Sequence, residues 1–280
     1  MSTRIAVCGS LAISLLGTSL LFAEEMPEWQ DLFDGKTLNG WQQLNGTATY
    51  EVQDGMIVGT TVPGSANSFL CTKKDYGDFI LELDFKVDEG LNSGVQIRSQ
   101  SLGQYRDGRV HGYQVEIDPA QKELYSKSPA NLWVTGEQVP PGTQPRRWTG
   151  GICDEARRGW LCNLTRNVRA RNAFMPDEWN HFRIEAVGDS MRTWLNGVPA
   201  ASIADSMTSN GFIALQVHST KEKEPMKVRW KNIQIQDLGF NKAEPDPDYD
   251  PDVGDWQGVE GRLVAQVIPT SAIRRQAILF

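Results

Sequence analysis

Two carboxylates sit two residues apart in His111–Asp118, which reads His-Gly-Tyr-Gln-Val-Glu-Ile-Asp. Glu116, Asp118 and His111 can take up and return protons, and the Gln114 amide can hold a hydroxyl group. Two further stretches carry matching groups. Asn92–Gln100 supplies Gln96 and Arg98, and Phe212–Ser219 supplies Gln216 and His218. Amides, imidazoles and charges of both signs suit work on a polar, hydroxyl-rich ligand. A Glu-x-Asp pair also suits a conventional glycosidase, which flanks its scissile bond with two carboxylates. A solvated outer sheet face is the alternative source of the same pattern.

The elements that would position these groups are strands. In His111–Asp118, Tyr113, Val115 and Ile117 alternate with Gln114, Glu116 and Asp118, so one face is apolar and the other acidic. Gln96 and Arg98 are expected on the polar side of their strand, and Gln216 and His218 on the side opposite Leu215 and Val217. Together the three strands form a cleft floor. Asp78–Val87 alternates most cleanly, with Phe79, Leu81, Leu83 and Phe85 on its core face. Trp179–Val187, Met191–Leu195 and Val228–Ile235 read as further strands. Asp54-Gly55 and Asn196-Gly197 are strong hairpin turns. Many short strands joined by Gly, Asn and Asp turns predict an all-β sandwich or jelly roll.

Between Asp118 and Glu178 the alternation stops. Within this span Gly150–Leu164 holds Asp154, Glu155, Arg157, Arg158 and Trp160. So dense a run of charge and aromatic surface reads as a loop closing over a site, with a mobile surface loop as the alternative. A short helix is expected over Arg166–Phe174.

The chain ends carry no such chemistry. Arg4 precedes an apolar run, Ile5–Phe22, and Ala23 stands before Glu24-Glu25. Residues 1–23 therefore read as a secretory signal peptide, and the chain as exported, periplasmic or extracellular. The run is also just long enough for an uncleaved anchor. With the signal cleaved no membrane span is expected. The main domain is expected over residues 27–238. An acidic, Pro-rich linker follows over 239–254, and a short C-terminal tail over 255–280.

A net charge of −7 argues against a nucleic-acid partner, and nine tryptophans supply flat apolar surface suited to sugars or to a core. Of four cysteines, Cys71, Cys153 and Cys162 lie outside the signal segment. Cys153 and Cys162 are close in sequence and are expected to pair in an oxidising compartment. No CxxC or HxxxH spacing marks a zinc site.

Several segments, in order, resemble the 3-keto-disaccharide hydrolase domain family. Leu32–Trp41 (Leu-Phe-Asp-Gly-Lys-Thr-Leu-Asn-Gly-Trp) is similar to its opening signature. Asn92-Ser93-Gly94-Val95 with Arg98, and Gly112–Asp118, are similar to its central strands. Trp179-Asn180, Asn196-Gly197, Gly211–His218 and Val228–Ile233 are similar to its closing strands. The resemblance runs from about Trp29 to about Leu238. One departure stands out: many members carry Glu then Gln where this chain has Gln114 and Glu116.

The resemblance implies a concanavalin A-like jelly-roll β-sandwich, export, and cleavage of 3-keto glycosides. A ketone at C3 acidifies the C2 proton. Its removal gives an enediolate, the C1 substituent leaves, and water adds to the unsaturated sugar. Such a site needs a base, an acid for the leaving oxygen, and a group that holds the enediolate oxygen. Glu116 or Asp118 is the candidate base, with His111 or His218 as acid, or the reverse. Arg98 is the candidate for the enediolate oxygen, with a structural pairing to Glu116 as its alternative. Gln114, Gln216, Asp154, Glu155 and Trp160 are candidate substrate contacts, Trp160 by stacking. A divalent metal held by His and carboxylates is a further option for the enediolate. A non-catalytic carbohydrate-binding module and a conventional glycoside hydrolase of the same fold are the rival readings.

Overall fold

The computed structural model describes residues 27–119, 148–240, 256–259 and 262–265. The expected signal segment and nearly all of the 239–254 linker lie outside the described residues. In chain order the strands are β1 (Gln30–Asp31), β2 (Trp41–Leu44), β3 (Thr49–Gln53), β4 (Met56–Thr60), β5 (Ser68–Tyr76), β6 (Asp78–Val87), β7 (Ser93–Gln100) and β8 (His111–Ile117). After them come β9 (Ile152–Glu155), β10 (Gly159–Cys162), the single-turn helix α1 (Val168–Arg171), β11 (Asn180–Val187), β12 (Ser190–Leu195), β13 (Val198–Ala204), β14 (Gly211–Val217) and β15 (Lys227–Gly239).

Alternation decides the architecture. In β6, Phe79, Leu81, Leu83 and Phe85 are fully buried, while Glu82, Asp84 and Lys86 lie on the opposite, partly wet face. A strand with one apolar side is stable only against a second such layer. One sheet runs β13-β12-β11-β6-β15-β4-β3, with β1 also on β15, and the other runs β10-β9-β8-β7-β14-β5-β2. All pairings are antiparallel. Between the layers lie Phe85, Phe182 and Trp230 from the first sheet and Val95, Val115 and Leu215 from the second. Each such side chain contributes roughly 1.5–3 kcal/mol by leaving water. The result is the expected all-β jelly-roll sandwich.

The hairpin turns form where their residues tolerate left-handed backbone. Asp54 and Gly55 have φ of 50° and 74° between β3 and β4, and Asn196 and Gly197 have 49° and 76° between β12 and β13. Two positive φ values in a row define the tight turn that matches strand twist.

The outer face of the second sheet is unusual. Strands β8 and β14 are buried along their whole length, on both faces. Part of the cover is the connection between β7 and β8. Asn45 ties it down: its Nδ2 donates to the Gly108 carbonyl (3.1 Å), and its Oδ1 accepts the Val110 N–H (2.7 Å). Val110 then packs on Phe69, Cys71, Phe212 and Ala214, a second small core on the outer face.

Two expectations are corrected. Gly150–Leu164 is not a loop over the sheet; it contains the β9–β10 hairpin, which extends the sheet itself. Its charge density is spent largely within the hairpin: Asp154 pairs with both Arg157 and Arg158. Cys153 and Cys162 are not disulfide-bonded, and Cys71, Cys153 and Cys162 are all free thiols. The register sets Cys153 opposite Trp160 and Cys162 opposite Ile152, so the two thiols never face each other.

The helix expected over Arg166–Phe174 exists only as α1, capped by the Asn167 side chain on the Ala170 N–H. In the tail, β16 (Trp256–Val259) and β17 (Arg262–Ala265) pair with each other and with no other strand among the described residues. No described helix is long and apolar enough to cross a membrane.

Candidate active site

Strand register assembles the site on the outer face of the second sheet. Gln216 of β14 lies opposite Gly94 of β7, and Gly94 opposite Glu116 of β8. One row along, Ala214, Gln96, Gln114 and Cys153 line up across four strands. Residues two apart on neighbouring strands thus share one patch.

A cavity of about 570 Å³ opens over this patch, a size that accepts a small-molecule ligand. Glu116, Gln114, Asn92 and Cys153 line it from the sheet. The β9–β10 hairpin adds Asp154, Glu155, Arg157 and Trp160. The β7–β8 connection adds Arg106 and Arg109, and His218 and Asn67 close the remaining side.

Glu116 is 2% exposed, yet it reaches this cavity. Its Oε1 accepts a hydrogen bond from Asn92 Nδ2. Its Oε2 accepts from Gln114 Nε2 at 3.1 Å and faces the Cys153 thiol at 3.7 Å. Burial first, then the nearby Glu116 charge, push the Cys153 thiol well above its usual range. The sulfur is therefore a protonated donor and not a nucleophile.

The cavity walls are cross-tied by charge. Arg109 Nη2 donates to Glu155 Oε1 at 3.0 Å, and Asn67 Nδ2 approaches the same oxygen at 3.4 Å. Asn67 Oδ1 in turn accepts the Ser219 N–H at 2.9 Å, which fixes the segment carrying His218. His218 Nδ1 lies 2.7 Å from the Ser219 carbonyl. A carbonyl only accepts, so Nδ1 carries the proton and Nε2 is left for other partners. Arg157 Nε donates to Asp154 Oδ1 at 2.7 Å, and Arg158 takes Asp154 Oδ2.

Of the residues expected from sequence, Glu116, Gln114, Asp154, Glu155, Trp160 and His218 meet at the cavity, and four others do not. Arg98 is turned into the sandwich. A bulge after Ile97 and a φ of 45° at Arg98 break the alternation. Its Nε donates to Gly77 O, Nη1 to Gly188 O and Nη2 to Asp78 Oδ1, each at 2.7 Å. It is structural, with Asp78 and not Glu116 as its partner.

His111 is in phase with Tyr113 and Val115, not with Glu116. It is buried, its Nδ1 lies 2.7 Å from the Arg109 carbonyl, and its ring packs against Tyr105 at a tilt of 45°. Burial holds this imidazole below its usual pKa despite that hydrogen bond. Asp118 lies one residue past β8, where its N–H donates to Thr149 Oγ1 at 3.0 Å, and it does not line the cavity. Gln216 lies two strands from Glu116 in the same row but is fully buried, and its side-chain Oε1 and Nε2 have no partner among the described residues.

Sequence reasoning missed Asn67, Arg106 and Arg109, and it singled out the segments of Asn92, Arg157 and Cys153 without giving those residues a place in the site. Asn92 heads the Asn-Ser-Gly-Val segment and was the one within reach. Arg106 and Arg109 lie in a Gly- and Arg-rich connection with no periodicity to mark them. Among the described residues no group of three or more His, Cys, Asp and Glu is arranged to hold a metal ion.

Comparison with known proteins finds several solved structures to which the chain is similar. A glycosyl hydrolase of Parabacteroides distasonis, provisionally so described, is 21% identical; the match covers 75% of this chain and 94% of that one, with a TM-score of 0.48. A carbohydrate-binding module from Bacillus subtilis is 17% identical over 70% of this chain and 95% of its own, with a TM-score of 0.42. A Bacillus subtilis protein with a galectin-like fold is 11% identical over 71% and 90%, with a TM-score of 0.47. No curated protein matches the chain. The profile of the 3-keto-alpha-glucoside-1,2-lyase-like domain matches residues 28–236, from before β1 into β15. That match spans most of the sequence and all the strands that build the cavity, and the chain belongs to this 3-keto-alpha-glucoside-1,2-lyase-like family.

Proposed function

We propose that the domain cleaves 3-keto glycosides by elimination, with Glu116 as the base that takes the C2 proton. The observation that supports this most directly is Glu116 itself: a buried carboxylate, held by Asn92 and Gln114, that still opens onto the cavity. Such a group is oriented before substrate arrives, which is what a proton-transfer step requires.

The C3 ketone makes the C2–H bond acidic. Glu116 takes that proton, and the bonding pair becomes the C2=C3 bond of an enediolate with its charge on the C3 oxygen. Arg106 and Arg109, in place of Arg98, supply positive charge for that oxygen. When the ketone re-forms, a C1=C2 bond forms and the C1–O bond breaks. His218 is the candidate donor of a proton to the leaving oxygen, a role that requires Nε2 to carry a second proton because Nδ1 already holds one against the Ser219 carbonyl. Water then adds across C1=C2, and the net outcome is hydrolysis. Trp160 offers a flat face to the sugar ring.

The test offers the protein a 3-keto disaccharide and its unoxidised parent in deuterated water. Cleavage of the keto sugar alone, with deuterium entering at C2, is the expected outcome. Glu116→Gln should lower this turnover on the order of 1,000-fold with the fold intact. Cleavage of both sugars would make the protein a conventional glycosidase, and binding without turnover would make it a carbohydrate-binding module. The Arg4–Ala23 segment supports the further proposal that this reaction takes place outside the cytoplasm. Fractionation of the producing cells tests that.

A further inference from the structure

Behind the Gln114–Glu116 contact stand two more buried polar side chains, Gln96 and Ser99, which the elimination scheme does not use. Ser99 Oγ donates to Gln96 Oε1 at 2.6 Å. Gln96 Nε2 donates to Gln114 Oε1 at 2.5 Å, and Gln114 Nε2 donates to Glu116 Oε2 at 3.1 Å. All four residues are at most 2% exposed. The direction of the chain is forced. An ionised carboxylate only accepts, so Gln114 must turn its NH₂ toward Glu116 and its oxygen toward Gln96. Gln96 must then present its NH₂ to Gln114 and its oxygen to the Ser99 hydroxyl. Each bond polarises the next, and the partial positive charge accumulates at the carboxylate.

The backbone has been cleared to make room for this chain. A Cβ at Gly94 would come within 2.4 Å of the Gln114 side chain, and one at Gly112 within 2.5 Å of Ser99 Oγ. Gly94 and Gly112 belong to the Asn-Ser-Gly-Val and Gly-Tyr-Gln-Val segments noted in the sequence. Their lack of a side chain lets the first and third members of the relay lie flat across neighbouring strands.

We infer that Gln96 is a positioning residue for Glu116: the one-way relay Ser99–Gln96–Gln114 fixes which face Gln114 shows to the carboxylate and so holds Glu116 as a proton acceptor. This rests on the reading of Glu116 as the base, which it deepens. Gln96 does not line the cavity, so it acts only through Gln114. Among the described residues, the ionisable groups that line the cavity with Glu116 are Cys153, Asp154, Glu155, Arg106, Arg109, Arg157 and His218, and the side-chain partners of Gln96 are Gln114 and Ser99.

The test uses Gln96→Met, which keeps the volume and removes the donor, and Ser99→Ala, a smaller cut at the far end of the relay. Two readouts are taken. The first is kinetic: kcat on a 3-keto disaccharide should fall about 10-fold in Gln96→Met with KM within 2-fold, and the acidic limb of the pH–rate profile should move upward by about half a unit or more. The second needs no substrate: the ¹³C carboxyl titration of Glu116, identified by its loss in Glu116→Gln, should move upward in the same variants. An unmoved Glu116 titration in both variants would overturn the relay. A shifted titration with Glu116→Gln fully active would keep the relay and reject Glu116 as the base.

Discussion

Arg98 and Asp78 lock the two sheets together at one end. Arg98 Nη2 lies 2.7 Å from Asp78 Oδ1, and that same oxygen accepts the Gly188 N–H at 3.0 Å. A strand of the second sheet is thereby tied to β6 and to the β11–β12 turn of the first. The guanidinium is 1% exposed, and its three nitrogens are all engaged. Arg98→Met should cost about 3 kcal/mol, because it strands the Asp78 carboxylate and two carbonyls. Urea unfolding reads this. The turnover of the folded fraction should match the wild type, which separates Arg98 from the site.

Gly94→Ala tests the close approach beside Glu116. The added methyl would displace Gln114, so Glu116 loses a donor as well as its neighbour's packing. The expected loss is about 10-fold in kcat/KM, with about 1–3 kcal/mol of stability lost to overpacking. Wild-type kinetics in a folded Gly94→Ala protein would show that Gln114 does not tune the carboxylate.

Trp160→Ala should weaken substrate binding, with KM raised about 10-fold and kcat changed little. The ring lies half-buried on the cavity edge, and its loss removes stacking area without touching proton transfer. Equal losses in kcat and kcat/KM would reject stacking as its role.

Asp205 gives a pH signature outside the cavity. Burial alone would raise its carboxyl pKa, but hydrogen bonds from Arg158 and Tyr113 outweigh this and hold it below 3.8. A depressed folded pKa stabilises the protein above the unfolded value, and that contribution is lost as pH falls through the folded one. Asp205→Asn should therefore be less stable than wild type at neutral pH, with the difference shrinking below pH 3.8. Tm measured against pH for both proteins checks this.

Cys153 and Cys162 should both react with a thiol reagent after unfolding without reductant, because they are not disulfide-bonded. Peptide mapping that recovered a Cys153–Cys162 bridge would contradict the β9–β10 register.

Where local periodicity sets the outcome, the sequence alone was a good guide. β6, β8 and β11 alternate as read, and the Asp54-Gly55 and Asn196-Gly197 turns follow from residues that accept positive φ. Glu116 and Gln114 were legible for the same reason. Arg98 was not, because a single bulge reversed its face, and bulges leave no mark in residue type. His111 was misjudged against its own period, since its phase with Tyr113 already turned it from Glu116. Asp154 does line the cavity, but Arg157 and Arg158 lie three and four residues away and take both its oxygens, so it stands there as part of an ion-paired wall. Asn67 and Arg109 entered through contacts with Glu155 across 88 and 46 residues, a separation that no local pattern encodes.

Among the described residues the β9–β10 hairpin has β8 on one side only, and β10 ends the sheet. Glu155 and Trp160 thus hang from a margin whose length can vary without disturbing the layers behind it. Exchanging this hairpin between relatives would resize the mouth of the cavity while Glu116, anchored two strands inward from the rim, kept its setting. Substrate range and proton chemistry could then diverge independently.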